Sequence, residues 1–186
     1  SLFVCFVLII YITLQHYRSG PPDLVIKSYE TSKTPKDIEN KKSKTLKKNE
    51  NILKNIYYKN FDKEGNTYII RASEGMIVNN NPNIINMNKV NAQIILRNYK
   101  PILITSNSAI FDKSSFETRF SNSIQLNYLD HQINSEKLIL LLDENLLKIS
   151  EQVIYKNSTS NLAADAIVVD LVTKDSKIFM KDKKKK

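Results

Sequence analysis

One cysteine, two histidines and three glycines in 186 residues close off several chemistries at once. Cys5 stands alone, so no intramolecular disulfide forms and no zinc site can be built on thiolates. His16 and His131 lie far apart in the chain and form no pair at metal-ligand spacing. His131 follows Asp130 in a predicted turn, where a solvated histidine is the ordinary occupant. There is no Gly-rich phosphate loop, no Gly-x-Ser-x-Gly and no His-Glu-x-x-His. An enzyme, a metal site and a cofactor are therefore not expected. With five prolines, so few glycines also exclude collagen-like and low-complexity classes.

What is present is a globular composition, 41% hydrophobic and 9% aromatic, with a formal net charge of +9. Such a charge fits a nucleic-acid binder, a protein lying on anionic lipid, or strand edges and linkers solvated by lysine. Much of the excess is localised. Lys27, Lys33, Lys36, Lys41, Lys42, Lys44, Lys47 and Lys48 crowd one segment, and Lys183, Lys184, Lys185 and Lys186 form a tail. Nucleic-acid modules set basic residues among exposed aromatics within a fold. That pattern is missing, and no nucleic-acid partner is expected.

Residues 2–14 carry no charge, and residues 1–17 just reach the lower limit of about 17 for a spanning helix. A cleaved signal peptide is the rival reading. Cleavage near Ser19 and Gly20 would put Tyr17 or Arg18 at the −3 position, and Pro21-Pro22 follows, which makes a poor site. Val4 before Cys5 makes an equally poor lipoprotein site. An uncleaved transmembrane anchor over residues 1–18 is the expectation. Residues 19–50, polar and Lys-rich with Pro21, Pro22 and Pro35, read as a linker that cannot bury enough apolar surface to fold alone.

Residues 51–182 read as one all-β domain. Ile56-Tyr57-Tyr58-Lys59-Asn60-Phe61 and Thr67-Tyr68-Ile69-Ile70-Arg71-Ala72 flank the turn Asp62-Lys63-Glu64-Gly65-Asn66. Asn79-Asn80-Asn81-Pro82-Asn83 and Asn98-Tyr99-Lys100-Pro101 are further turns. A loose repeat follows. Ala109-Ile110-Phe111-Asp112, Leu140-Leu141-Leu142-Asp143 and Ile167-Val168-Val169-Asp170 each end a strand at an aspartate, at spacings of 31 and 27 residues. The unit predicts stacked β-hairpins. Ile124, Leu126 and Tyr128 alternate with Gln125 and Asn127, the period-two pattern of a sheet with one buried face. Residues 135–148 would also suit a short helix, but Asp143-Glu144-Asn145 between two apolar runs favours two strands.

The three aspartates fit turns better than an acid–base pair or a calcium site. Asn157-Ser158-Thr159 matches a glycosylation sequon, a pattern common by chance. A sheet protein of this kind can act through its interior: if its two sheets do not fully interdigitate, their inner faces leave a slot for acyl chains. If they do, the chain is a membrane-tethered structural or adaptor domain with a solid core, binding a protein partner and no lipid.

The order of an N-terminal apolar segment, a polar spacer, the Asp62-x-x-Gly65 hairpin leading to Tyr68-Ile69-Ile70-Arg71-Ala72, and β repeats ending in Ala164-Asp165-Ala166-Ile167-Val168-Val169-Asp170 resembles the LptC family of lipopolysaccharide export proteins. The repeats are similar to the related LptA and OstA-like domains. The Lys-rich spacer is longer than the family pattern. The resemblance implies a single-pass inner-membrane protein with a twisted antiparallel β-jellyroll in the periplasm. Such a protein performs no chemistry. It takes lipopolysaccharide from an inner-membrane ABC transporter and passes it to a periplasmic LptA-like bridge protein. By position and alternation the groove would be lined by Ile70, Ala72, Phe111, Ile124, Leu126, Tyr128, Leu140, Leu142, Ile149, Val153 and Tyr155. The partner-binding edges would include Ile56 and Tyr58 at one end and Val169, Leu171 and Ile178 at the other.

Overall fold

The computed structural model describes residues 51–180. The anchor and linker expected over residues 1–50 lie outside them. The described residues contain nine strands and no helix: β1 (Asn51–Phe61), β2 (Thr67–Val78), β3 (Asn81–Ile95), β4 (Ile102–Asp112), β5 (Glu117–Tyr128), β6 (His131–Leu141), β7 (Leu146–Lys156), β8 (Asn161–Asp170) and β9 (Ser176–Phe179). Residues 135–148 are strand, turn and strand, with no helix. All neighbours pair antiparallel, and strand order in the sheet equals order in the chain.

The turns follow from their residues. At the first hairpin Gly65 takes φ +83°, which glycine adopts without a Cβ penalty. The Asp62 carboxylate accepts from the Asn66 backbone N–H (2.8 Å), the Asn66 side-chain amide (2.7 Å) and the Tyr68 hydroxyl (2.9 Å). The Asn66 side chain in turn accepts from the Arg97 N–H at 2.8 Å, tying this hairpin to the end of β3. Asp112 accepts from the Ser114 N–H, and Asp170 from the Val172 and Thr173 N–H groups, so both are turn-forming aspartates. These bonds favour the ionised carboxyl and hold both below the usual range, the Ser114 hydroxyl leading for Asp112 and the Thr173 amide for Asp170.

Two separate sheets facing one another are not what forms. The single sheet folds over along a line that crosses the strands near their middles. On that line Asn55 (β1), Lys89 (β3), Asn122 and Ser123 (β5), and Glu151 and Gln152 (β7) all have positive φ. The spacing of buried side chains records the bend. It is three residues across the line in β3 (Met87 to Val90) and β6 (Ser135 to Leu138), so the inward parity switches. It is four in β5 (Phe120 to Ile124) and β7 (Leu147, Ile149, then Val153), where an extra residue is bulged out and parity is kept. Side chains satisfy backbone groups released there. The Ser106 hydroxyl donates to the Ser108 carbonyl (2.9 Å), the Ser108 hydroxyl to the Ser121 carbonyl (3.2 Å), and the Ser123 N–H to Glu136 Oε2 (3.0 Å).

Folding over brings distant ladder positions together. Tyr58 shares a row with Ile70, Ala92 and, on β4, Ile104. Phe111 lies seven residues further along β4. In a flat sheet the two would be more than about 20 Å apart, from a rise of about 3.3 Å per residue and a strand spacing of about 4.8 Å. Their ring centroids are 4.7 Å apart. Each of the strands β1 to β8 thus contributes one half to each of two layers, and the short β9 extends one of them. The core between the layers is continuous, and Phe120 and Leu138 are fully buried in its packed part.

Candidate lipid-binding cavity

Close packing fails at one end. A cavity of about 430 Å³ opens between the layers where the last strands meet the turn after β3. One layer supplies Leu96, Ile102, Leu126, Tyr128, Ile133 and Tyr155; the other supplies Leu147, Ile167, Val169, Leu171 and Ile178. The wall is almost wholly aliphatic or aromatic. This volume falls within the usual range for small-molecule sites, about 300–1,000 Å³.

Polar groups gather at its rim. His131 stacks between Tyr128 (centroids 6.4 Å apart, planes at 14°) and Tyr155 (5.8 Å, 28°). His131 Nδ1 is 2.7 Å from the Tyr155 hydroxyl, which also accepts from the Asn157 side-chain amide at 2.9 Å. Asp130 Oδ1 lies 3.5 Å from His131 Nε2, and Asp130 Oδ2 accepts from the Ser158 hydroxyl at 3.0 Å. That hydroxyl is the main cause holding the Asp130 carboxyl below its ordinary range. Across the mouth the Lys174 ammonium sits 5.0 Å from the Tyr99 ring, joining the β8–β9 turn to the β3–β4 turn. The arrangement offers an apolar chain a dry wall and a polar end a set of donors and acceptors. Among the described residues no group of His, Cys, Asp and Glu could hold a metal ion.

The eleven groove candidates all belong to the interior, but not to one open slot. Leu126, Tyr128 and Tyr155 line the cavity. Ile124, Leu140, Ile149 and Val153 are packed in the filled core, with Leu142 half-buried against it. Ile70 and Phe111 border a second gap of only about 10 Å³ at the β1 end, with Ala72 buried near by. The edge candidates also divide. Ile56 and Tyr58 lie on the edge strand β1 but point inward. Val169 and Leu171 face the cavity, and Leu171 is only 1% exposed. Ile178 lies on the outermost strand, β9, at 44% exposure.

Sequence reasoning left out the part of the wall built by Leu96, Ile102, Ile133, Leu147 and Ile167. Ile133 and Leu147 carried a signal, because each lies on the same alternating face as a buried neighbour, Ser135 and Ile149. Leu96 and Ile102 flank a turn, where alternation is interrupted. His131 was read as a solvated turn residue; its side chain is 40% exposed, yet it forms part of the rim.

These features define an all-β protein whose sheet closes over an apolar cavity and which offers a site for binding. The chain matches the model of the family described as lipopolysaccharide-assembly, LptC-related, over residues 4–181. It belongs to that family, whose members are cell-envelope components of lipopolysaccharide transport and not a known family of enzymes. No curated protein matches the chain at a significant level.

Proposed function

We propose that this chain is the membrane-anchored component that receives lipopolysaccharide from an inner-membrane ABC transporter and passes it to a periplasmic LptA-like bridge. In this reading residues 1–18 anchor the chain, residues 19–50 form a linker and residues 51–182 form the periplasmic β-jellyroll. The observation that carries it is the apolar cavity between the layers at the β8–β9 end. Acyl chains enter there, and the Tyr128–His131–Tyr155 rim with Lys174 meets the polar part of the lipid. The eleven groove candidates become a path in two states: an open portion at Leu126, Tyr128 and Tyr155, and a closed portion that must separate to admit more of the ligand. β1 at one edge, and β8 with β9 at the other, supply strand backbones for pairing with the transporter and the bridge.

The filled centre favours the rival, a membrane-tethered adaptor that binds protein and no lipid. The deciding experiment places a photoreactive amino acid at Tyr128 and, as a control, at outward-facing Arg119. Crosslinking to lipopolysaccharide from Tyr128 and not from Arg119 is expected. Lipid-free protein with a crosslinked protein partner only would overturn the transport reading in favour of the adaptor.

A further inference from the structure

The last hairpin has two positions to fill at once. β9 is four residues long and pairs with β8 only at Ala166, Ile167, Val168 and Val169. All four of its residues are exposed, and its outer side is the sheet edge. Yet Ile178, Ser176 and Lys174 line the cavity mouth, with Ile178 and Ser176 beside their ladder partners Ile167 and Val169. The opposite edge strand, β1, is paired at both ends and throughout except at Asn55, and buries Ile56 and Tyr58 in the core. The two edges are therefore built differently: one is anchored, and the other rests on the wall of a cavity.

We infer that β9 is a displaceable strap, and that the β8 backbone it covers is the entrance through which an amphiphile's apolar chain and a partner's edge strand gain access to the cavity. The inference rests on the transport reading above and deepens it by assigning the regulation of its site. The hairpin is built to move as a unit. Its turn is held by bonds local in sequence: the Asp170 carboxylate to the Val172 and Thr173 N–H groups, and the Lys174 N–H to the Asp170 carbonyl. Lys174 and Asn98, at the two turns that meet, both have positive φ. Leu171 fixes the base, buried and donating its N–H to the Asn145 carbonyl at 2.8 Å. Beyond Leu171 the Lys174–Tyr99 contact joins the strap to the other layer. A short strand with exposed backbone bonds and few buried side chains belongs to the least stable part of a sheet. Lifting it uncovers the β8 donors and acceptors and opens the cavity in the same motion, so ligand entry and strand pairing are coupled.

The test uses the full chain with Cys5→Ser and the outward, register-matched pair Val168→Cys and Lys177→Cys, carrying a photoreactive residue at Tyr128. With the disulfide formed, crosslinking to purified lipopolysaccharide is expected to fall at least tenfold relative to the same protein after reduction. Hydrogen exchange at the residue 166–169 amides is expected to slow by a similar factor on oxidation. A variant lacking residues 176–180 should crosslink at least as well as the unlocked protein. Equal crosslinking in the oxidised and reduced forms would overturn the strap and leave the lipid-binding reading standing. Residue 166–169 amides that exchange, when reduced, as slowly as those of Leu147 and Ile149 would overturn the strap without reference to lipid. Absence of crosslinking in every form, with exchange at 166–169 fast when reduced and slow when oxidised, would overturn the lipid reading and with it the strap's role in lipid entry.

Discussion

The Cδ1 of Ile56 on β1 lies where a side chain on Gly75 of β2 would begin. The two meet at the fold line, beside Lys54↔Glu74 and Ile56↔Ala72 in the ladder. Glycine is needed here for space, since its φ is not in the left-handed region; Gly65, with φ +83° and open space around it, is needed for conformation.

Gly75→Ala should therefore destabilise the domain by about 1–3 kcal/mol, the usual cost of overpacking a core. Gly65→Ala should cost about 1–2 kcal/mol through its backbone alone. Urea denaturation monitored by circular dichroism reads both. A Gly75→Ala protein as stable as wild type would mean that Ile56 rotates away at no cost.

Leu126 and Ile124 sit two residues apart on the same face but in different surroundings. Leu126 borders the cavity; Ile124 is 2% exposed in the packed core. Leu126→Arg can extend its charge toward the mouth, so the variant should fold and lose lipid crosslinking from Tyr128. Ile124→Asp buries a carboxyl without a partner, at several kcal/mol, and should lose its β-sheet circular dichroism signal. Gln125→Arg, on the opposite face, should keep both fold and crosslinking.

Tyr58 gives an alkaline signature. Its hydroxyl is buried without a hydrogen-bond partner, and burial pushes the phenol up to about 12. The folded value exceeds the ordinary value of 10.0, so this stability is fully present below pH 10.0 and is lost as pH rises through about 12. Tyr58→Phe should flatten the fall in stability across that window. At neutral pH it should be at least as stable as wild type, because an unpartnered buried hydroxyl is removed. Tyr68, raised further by burial and by its bond to Asp62, keeps its own alkaline loss in the variant. Thermal melts at pH 7 to pH 11 would show it; an unchanged slope in Tyr58→Phe would place the phenol in water.

Asp62→Ala removes the acceptor for three donors at the first hairpin. Leaving the Tyr68 hydroxyl buried and unpaired should cost about 1–3 kcal/mol. Asp62→Asn should recover part of this, since an amide oxygen still accepts. Melting temperatures of the two variants decide it, and equal losses would mean the carboxylate charge itself is required.

Strand existence and most turn positions were legible because they depend on local chemistry. The Asp62-x-x-Gly65 turn, the Asp112 and Asp170 strand ends and the Ile124-Leu126-Tyr128 alternation show in the structure; β6 ends earlier than expected, at Leu141, and Asp143 lies in the turn after it. The fold line was not legible. A three-residue step such as Met87 to Val90 looks in sequence like the end of one strand and the start of another. Only the ladder on both sides shows that the strand continues with its faces exchanged. The cavity was legible in part for the same reason. Leu126 and Tyr155 announce an inward face, but whether that face meets other side chains or empty space depends on which far row folds onto it. Tyr58 against Phe111 is such a meeting, and period two carries no information about it.

The strict chain-order sheet also has a temporal meaning. Every strand adds to an edge already made by the strand before it, so no partner has to be awaited from far along the chain. The contact of Tyr58 with Phe111 across the layers becomes possible once β4 is in place. A chain delivered from its N-terminus can therefore close a four-stranded seed early and lengthen it hairpin by hairpin. The cavity end, made largely by β7, β8 and β9, is then the last part to take shape.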